Sequence, residues 1–383
     1  MKGFFCCSPG RLRVVLLCLL SIALFSCSSY SGSAEESLDE LSLPDGFQID
    51  IYTSDVPNAR SMAMSPNGTL FVGTRGAGNL YAVLDNNGDY KADSVITIAE
   101  GLQMPNGVAF QNGSLYVAEV SRILRYDNIE DNLQNPTEPV VITDSYPTET
   151  HHGWKYIAFG PDGKLYIPVG APCNICESEQ DIFASITRIN PDGTDREIVA
   201  RGVRNTVGFT WHPETGDLWF TDNNRDWLGD NKPPGELNTL TEVGQHFGYP
   251  YLHGDGTWDP EFGTKGKQMD IDFKTPAQLL GPHVAPLGVI FYTGSMFPEE
   301  YRNQVLIAEH GSWNRTEKIG YRITIVRMEN GETVSYEPFI DGWLREDESV
   351  WGRPVALLQL DDGSVLISDD HSGTIYRLTY NQN

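Results

Sequence analysis

The sequence predicts an all-β fold, a six-bladed β-propeller, from three observations. One short phrase recurs six times: a polar turn with Gly or Asn, then Leu or Val, then aromatic or aliphatic residues. The first four copies are spaced by about 50 residues, a period typical of propellers and solenoids. Convincing amphipathic helices are absent from the pattern. The copies lie at residues 67–72, 112–117, 162–167, 215–220, 302–307 and 362–367.

Each copy predicts a turn and the strand that follows it, because β-branched and aromatic residues come directly after the turn. A second apolar run often follows, as at residues 121–126 and 374–378. Six such β units form the blades of a propeller. The alternating run at residues 47–52 is expected to pair with the C-terminal strands, which closes the ring and removes an exposed sheet edge.

The first 26 residues predict an export signal. Their only charges, Lys2, Arg11 and Arg13, precede an apolar run at residues 14–25 that is too short to span a bilayer. Cys27 follows in a Leu-Phe-Ser-Cys sequence that resembles the bacterial lipobox, where this cysteine carries lipid. A plain signal peptide cut nearby is the alternative. The expected segments are a signal peptide at 1–26, Cys27 with a flexible tether at 27–40, and the propeller at 41–383.

The composition excludes several classes of partner. The chain has 52 acidic and 27 basic residues, a formal net charge of −25. Nucleic-acid binding and electrostatic docking on anionic lipid both need clustered Lys and Arg. We therefore expect an exported bacterial lipoprotein, on the periplasmic face of a membrane or at the cell surface, that touches the membrane only through its lipid.

Cys173 and Cys176 are the cysteines that remain once the signal and Cys27 are set aside. An oxidising compartment favours a disulfide between them. A thioredoxin-like redox pair is the alternative, although no βαβ context surrounds it. Two cysteines alone do not complete a zinc site.

An acidic loop near residue 90 is a candidate calcium site. Oxygen side chains at alternate positions can wrap one hard cation. The loop is not an EF-hand, because Ile96 stands where the last Glu would be. A hairpin turn rich in Asp and Asn, without metal, is equally compatible with the pattern. The candidate ligands are Asp85, Asn87, Asp89 and Asp93.

Several phrases outside the repeats carry a family resemblance. They lie at residues 151–155, 201–209, 221–230, 233–238, 283–288, 308–315 and 351–355. Together they resemble the soluble glucose and sorbosone dehydrogenase family across residues 43–378, and most of all its sorbosone-type branch. The resemblance implies a six-bladed propeller that uses pyrroloquinoline quinone (PQQ) and calcium. It also implies oxidation of a sugar or sugar aldehyde, with electrons leaving to an external acceptor.

The resemblance assigns roles to individual residues. The base falls on His151, by its four-residue spacing from the basic residue Lys155, with His152 as the alternative. Histidine suits the task because its unperturbed pKa lies near neutrality. Arginine forks suit the three carboxylates of PQQ. The implied cofactor contacts are Arg204, Asn205, Arg353 and Lys155, and the implied calcium ligands are the main-chain carbonyls of Asn224 and Arg225.

The sequence departs from the glucose enzymes at several of their site positions. Val207 stands in place of a Gln, Ala171 near the place of an Asp that orients the base, and Ile290 in place of an aromatic residue. A late lysine has no match around residues 309–311. With these departures the sequence does not specify which sugar is oxidised.

Two rival functions stay open at this point. A calcium-dependent lactonase-type hydrolase would need Glu119, Asn223 and Asp369 to converge on an axial metal. A non-catalytic propeller would bind carbohydrate or protein. Simpler structural interpretations also exist for two of the motifs: a surface histidine pair at His151, and an Arg-Asn pair that only joins two blades.

Overall fold

The structure is a computed structural model that describes residues 37–381. The predicted signal peptide, Cys27 and the tether up to residue 36 lie outside the described residues. Within them, six sheets of four or five strands follow one another along the chain. The fold is therefore the predicted six-bladed β-propeller, nearly all β.

The first three blades come from the N-terminal half of the chain. Blade 1 contains β2 (Ala59–Met64), β3 (Leu70–Thr74), β4 (Leu80–Leu84) and β5 (Ser94–Ala99). Blade 2 contains β6 (Gly107–Gln111), β7 (Ser114–Ala118), β8 (Ile123–Tyr126) and β9 (Val140–Thr143). Blade 3 contains β10 (Ala158–Phe159), β11 (Leu165–Val169), β12 (Ser185–Ile189), β13 (Glu197–Arg201) and β17 (Gln245–His246).

The last three blades complete the ring. Blade 4 contains β14 (Phe209–Trp211), β15 (Leu218–Asp222), β16 (Pro234–Leu240) and β18 (Gln278–Pro282). Blade 5 contains β19 (Pro286–Phe291), β20 (Val305–Glu309), β21 (Arg322–Glu329) and β22 (Glu332–Ile340). Blade 6 contains β23 (Pro354–Gln359), β24 (Val365–Asp369), β25 (Thr374–Tyr380) and β1 (Phe47–Thr53). Short helical turns lie at Leu38–Glu40, Ile129–Asn132, Gly263–Gly266 and Glu299–Tyr301.

Blade 6 contains the ring closure expected from the sequence. The N-terminal strand β1 pairs antiparallel with β25, with Ile49 opposite Leu378. Because the first and last strands of the propeller belong to one sheet, the two ends of the chain hold the ring together. The described residues include no helix long and apolar enough to cross a membrane.

The six repeats are confirmed as the turn between the first and second strands of each blade, together with the second strand. Alternate side chains of that strand face opposite neighbours. In blade 1, Leu70 and Val72 pack toward blade 6 and Phe71 packs toward blade 2. Second strands read as continuous apolar runs because both of their faces are buried between blades.

One end of the propeller collects the loops that matter for function. In each antiparallel blade the first strand begins, and the second strand ends, at this end. The first strands of neighbouring blades contact each other around the axis. Their approach is close: a Cβ on Gly208, just before β14, would lie 2.1 Å from the carbonyl oxygen of Leu287. Loops far apart in sequence therefore meet at this end.

Candidate functional site

A cavity of about 290 Å³ opens at this end of the propeller. Four arginines line it: Arg60, Arg75, Arg204 and Arg353. Among the described residues of its wall, Asp226 is the one carboxylate. The wall is therefore strongly positive in a protein whose net charge is negative.

Two of these arginines have no carboxylate partner among the described residues. The guanidinium of Arg75 stacks on the ring of Trp154, with 3.7 Å between its carbon and the ring centroid. Arg353 donates from Nε to the carbonyl of His310 at 3.1 Å. Burial, with the nearby charges of Arg60 and Arg353, lowers the pKa of Arg75 to about 10. The positive charges of these arginines therefore repel one another in the cavity, and an anionic ligand would reduce that repulsion.

Arg204 is held firmly by its surroundings. Its Nε donates to the main-chain oxygen of Asn174 at 2.8 Å, and Nη2 donates to the Asn174 side chain at 2.9 Å. Its Nη1 donates to the carbonyl of Asn223, and Nη2 lies 3.4 Å from the carboxylate of Asp226. Arg204 is 3% exposed. The structure therefore places Arg204 in the cavity wall with a fixed orientation.

The loop that holds Arg204 is the cysteine loop. Cys173 and Cys176 are joined by a disulfide, so Asn174 lies inside a small closed ring. The Tyr249 hydroxyl lies 3.0 Å from the amide nitrogen of Cys176, which donates to it. The pair is therefore bonded in the structure, and its ring bears on the cavity through Asn174 and Arg204.

The backbone of the Arg204-Asn205 pair is anchored by an acidic side chain. The carboxylate of Asp222, the last residue of β15, accepts from the amides of Arg204 at 2.8 Å and Asn205 at 2.7 Å. Burial, beside Glu236, raises the pKa of Asp222 to about 8. Asn205 also lines the cavity. In blade 6, Asp369 holds the amide of Arg353 in the same way, at 2.9 Å.

His152 rather than His151 lies in the cavity wall. Its Nδ1 is 2.9 Å from the carbonyl oxygen of Ala171. A carbonyl can only accept, so Nδ1 carries the proton and Nε2 is the unprotonated nitrogen. The base predicted at His151 is corrected to this extent: His151 is exposed and outside the wall. The ring of His151 packs against that of His152, with 4.1 Å between centroids.

The environment keeps His152 neutral. Burial lowers the pKa of His152 well below the usual value, and the charge of Arg204 adds to the effect. The main-chain oxygen of Ala171 thus orients the ring of His152.

Lys155, the cofactor contact predicted from the sequence, lies away from the cavity. Its Nζ donates to the carbonyl oxygens of Val120 and Gly153, the latter at 2.9 Å. Lys155 is 2% exposed and does not line the cavity. Burial lowers its pKa to about 7. Lys155 holds the histidine loop from beneath and does not face a ligand.

Of the two residues whose carbonyls are predicted to bind calcium, Asn224 lines the cavity and Arg225 does not. Asn224 lines the cavity, and its Nδ2 donates to Glu236 at 2.7 Å. The guanidinium of Arg225 binds Asp259 at 2.7 Å and does not line the cavity. Among residues 37–381 no group of three or more His, Cys, Asp and Glu side chains is arranged to hold a metal.

The acidic loop is a hairpin turn held by its own side chains. Asp85 accepts from the amides of Gly88 and Tyr90, both at 2.8 Å. Asp93 accepts from the amide of Asn86 at 2.6 Å, and the side chain of Asn87 accepts from the amide of Asp89 at 2.9 Å. These hydrogen bonds are those of a hairpin turn closed by its own Asp and Asn side chains.

Of the three residues that a lactonase-type metal site would need, Asn223 lines the cavity and Glu119 and Asp369 do not. Glu119 accepts from the amide of Gln103 and pairs with Arg122, both beside its own blade. Asp369 holds the amide of Arg353. Each carboxylate already serves a structural hydrogen bond, and neither lines the cavity.

Sequence reasoning missed Arg60, Arg75, His310 and Asp370. Arg60 pairs with Asp370 at 2.6 Å, and Asp370 also lies 2.8 Å from Nε2 of His310. A positional signal existed for three of them. Arg75, His310 and Asp370 each come directly after the last residue of a second strand, as Asn223 does.

The chain is similar to known proteins both in sequence and in fold. The sequence matches the family described as Domain of unknown function (DUF7133) over residues 33–377. An uncharacterized protein of Borreliella burgdorferi is 35% identical over 374 residues, which cover 94% of this chain and 96% of that protein. The pyrroloquinoline quinone-dependent pyranose dehydrogenase of Coprinopsis cinerea is 22% identical over 88% of this chain. The chain spans about half, 54%, of that enzyme's length.

Solved structures share the architecture. The calcium structure of the Trichoderma reesei Carbohydrate-Active Enzymes Family AA12 protein superposes with a TM-score of 0.75 at 20% identity, covering 89% of this chain and 97% of that one. The holo form of the pyranose dehydrogenase PQQ domain from Coprinopsis cinerea gives 0.71 at 19% identity, covering 88% and 97%. At these identities the likeness establishes the shared fold.

Proposed function

The chain belongs to the DUF7133 family, and we propose that it oxidises a sugar or sugar aldehyde with PQQ as its redox cofactor. One observation carries the proposal: a positive cavity at the propeller axis places four arginines beside an oriented, neutral histidine. The PQQ domain of the pyranose dehydrogenase from Coprinopsis cinerea shares this fold. The finer assignment, to a sorbosone-type enzyme, rests on the phrases at residues 283–288, 308–315 and 351–355.

The cavity fits PQQ by charge and size. PQQ is a planar tricarboxylate, and Arg75 and Arg353 are cations without a carboxylate partner among the described residues. Two buried polar atoms of wall residues, Nε1 of Trp154 and Oδ1 of Asn314, have no hydrogen-bond partner among residues 37–381. A volume of about 290 Å³ is at the small end of ligand pockets, enough for one three-ring molecule.

Separate residues would hold and serve the cofactor. Arg75, Arg353 and Asn205 would bind its carboxylates, and Arg204 would contribute positive charge from a fixed position. When bound, PQQ supplies an electrophilic quinone that accepts a hydride. The main-chain carbonyls of Asn224 and Arg225 accept no hydrogen bond from the described residues, so they could serve as calcium ligands.

His152 is the base in this proposal. Its Nε2 would take the hydroxyl proton of the sugar, while the Ala171 carbonyl holds Nδ1 and stabilises the charge that develops on the ring. A base with a lowered pKa stays unprotonated at neutral pH, so it is ready to act without a prior proton loss. The ring of His151 lies beside that of His152, with 59° between the ring planes.

The proposal includes a location and an electron acceptor. We infer that the protein is anchored outside the cytoplasm through Cys27 and passes electrons to an external carrier. The bonded Cys173–Cys176 pair supports an oxidising compartment. Metabolic labelling with a fatty acid, lost in Cys27→Ser, is the expected result, and labelling that persists in the variant would contradict the anchor.

One experiment tests the function. PQQ and calcium chloride are added to the purified protein, and dye reduction is followed with a panel of aldoses, sugar aldehydes and aldonolactones. We expect PQQ-dependent dye reduction that His152→Ala lowers by about 10²- to 10⁴-fold. The matched variant His151→Ala should keep most of the activity. Absence of PQQ binding, or lactone hydrolysis without PQQ, would refute the proposal.

A further inference from the structure

Two tryptophans stand exposed at the mouth of the cavity. Trp227 and Trp313 are each 67% exposed. Their rings meet edge to face, with 5.4 Å between centroids and 87° between planes. Large aromatic side chains are costly to leave in water, and an exposed aromatic pair with a polar rim marks a binding surface.

The loops that carry the two rings are cross-linked. Nδ2 of Asn314 donates to the carboxylate of Asp226 at 2.7 Å, which joins the residues next to both tryptophans. The amide of Thr316 donates to Asp230 at 3.1 Å, further along the same loops. Trp227 itself has a positive φ of 70°, unusual for a bulky residue. The pair is therefore held in place before any ligand arrives.

The two rings differ in their relation to the cavity. Trp313 lines it, whereas Trp227 lies outside the wall and next to Trp313. The ring of Trp227 thus continues the cavity wall beyond Trp313, toward solvent. Since the cavity has room for about one three-ring molecule, a sugar of two or more rings would extend outward along this pair.

We propose that Trp227 and Trp313 form an outer sugar subsite. It stacks a pyranose ring that is linked to the ring being oxidised, so the substrate is the reducing end of an oligosaccharide. Axial C–H groups of a pyranose bury well on an aromatic face. The unpartnered Oδ1 of Asn314 supplies an acceptor for a hydroxyl.

The loops that carry the tryptophans offer polar groups to a sugar. Asp226, Asp230 and Glu317 carry carboxylates that can accept from hydroxyl groups, and Arg315 and Lys318 carry donors. The subsite deepens the proposed function and rests on it, although binding at the pair can be measured without PQQ.

Direct binding is tested by fluorine NMR. The protein is labelled with 5-fluorotryptophan, and the two resonances are assigned with Trp227→Phe and Trp313→Phe. We expect both to shift with maltotriose, cellotriose or chitotriose, and the Trp227 resonance to move little with glucose. If the resonances shift only with vesicles of phosphatidylglycerol and phosphatidylethanolamine, or if none of the sugars shifts them, the subsite is overturned.

Kinetics separate the subsite from the oxidation itself. The measured quantity is kcat/KM for a disaccharide divided by kcat/KM for its monosaccharide. In Trp227→Ala this ratio should fall by about 3- to 10-fold, the effect of one aromatic contact, and Trp227→Phe should restore most of it. Val334→Ala, an exposed apolar residue on β22, is the control. Sugar oxidation with an unchanged ratio would refute the subsite alone, whereas fluorine shifts without any oxidation would refute the proposed function alone.

Discussion

Asp370 in blade 6 forms an ion pair with Arg60 in blade 1, at 2.6 Å, although 310 residues separate them. The same carboxylate lies 2.8 Å from Nε2 of His310 in blade 5. Burial lowers the pKa of His310 to about 4, so this histidine is a neutral donor to the pair. One side chain therefore joins three blades beside the cavity.

Breaking this junction should destabilise the whole ring. Asp370→Asn leaves Arg60, 1% exposed, without its counterion, which costs about 3–5 kcal/mol when one partner of a buried pair is removed. Urea unfolding is the measurement, with the exposed Asp361→Asn as the control. A loss below about 1 kcal/mol would show that solvent replaces the contact.

The pH dependence of that junction has a definite sign. Arg60 and His310 lower the pKa of Asp370 relative to an unfolded aspartate. The stabilisation is therefore complete above the unfolded pKa of about 4 and is lost as pH falls further. Wild type and Asp370→Asn should converge in stability toward acid pH.

The unpaired arginines should decide cofactor affinity. Arg75→Met and Arg353→Met are each expected to raise the Kd for PQQ by about 10- to 100-fold, because each removes a charge-assisted hydrogen bond. Calorimetric titration measures this, with the exposed Arg302→Met at the opposite end of the propeller as the control. The unliganded Arg75→Met protein should be at least as stable as wild type, since crowded cations are relieved. Unchanged PQQ affinity in both variants would exclude this cavity as the site.

Lys155 should make stability depend on alkaline pH. Burial lowers its pKa to about 7, whereas an unfolded lysine titrates near 10.5. Between these values the unfolded chain binds more protons, so folded stability rises with pH across this window. Melting temperatures of wild type minus Lys155→Met, from pH 6.5 to 10, should therefore increase. The exposed Lys91→Met control should show a flat difference, and a flat line for Lys155→Met would mean that its amine is solvated.

The cysteine loop should influence the cavity through Asn174. In Cys173→Ser with Cys176→Ser, loss of a short closed ring should cost about 2 kcal/mol. Arg204 then loses the rigid partner of its Nε and Nη2 groups, so PQQ binding should weaken. Calorimetry with and without a reducing agent checks this. If the double variant binds PQQ as tightly as the oxidised protein, the loop is only structural.

Much of the fold was predictable because its information is local. Each of the six phrases places a turn and a two-face-buried strand within about ten residues, and β-branched and aromatic residues fill such strands wherever they occur. The closing strand was also visible, since Phe47–Thr53 alternates in the way that a blade strand needs. No knowledge of distant residues was required for these assignments.

The candidate site was only partly visible. Arg204, Asn205 and Arg353 were identified by their motifs and do line the cavity. The sequence did not distinguish His152 from His151 as the residue that faces the cavity. Adjacent residues in a loop point in directions that depend on local φ, and His152 has a φ of +52°. The position of Lys155 was not visible either, because its spacing from His151 says nothing about burial. The structure places Lys155 beneath the histidine loop and not in the cavity wall.

The sequence by itself determined the number of blades, the closure of the ring and the motifs that carry the arginines. Tertiary structure alone decided that His152 faces the cavity, that the Ala171 carbonyl orients its ring, and that Asp370 joins Arg60 to His310. These relationships depend on loops from different blades meeting at one end of an axis. The alternation of side chains along a strand repeats every two residues, so it can be read from the local sequence. A contact in the site joins residues from different blades, so it depends on how the closed ring places those blades side by side.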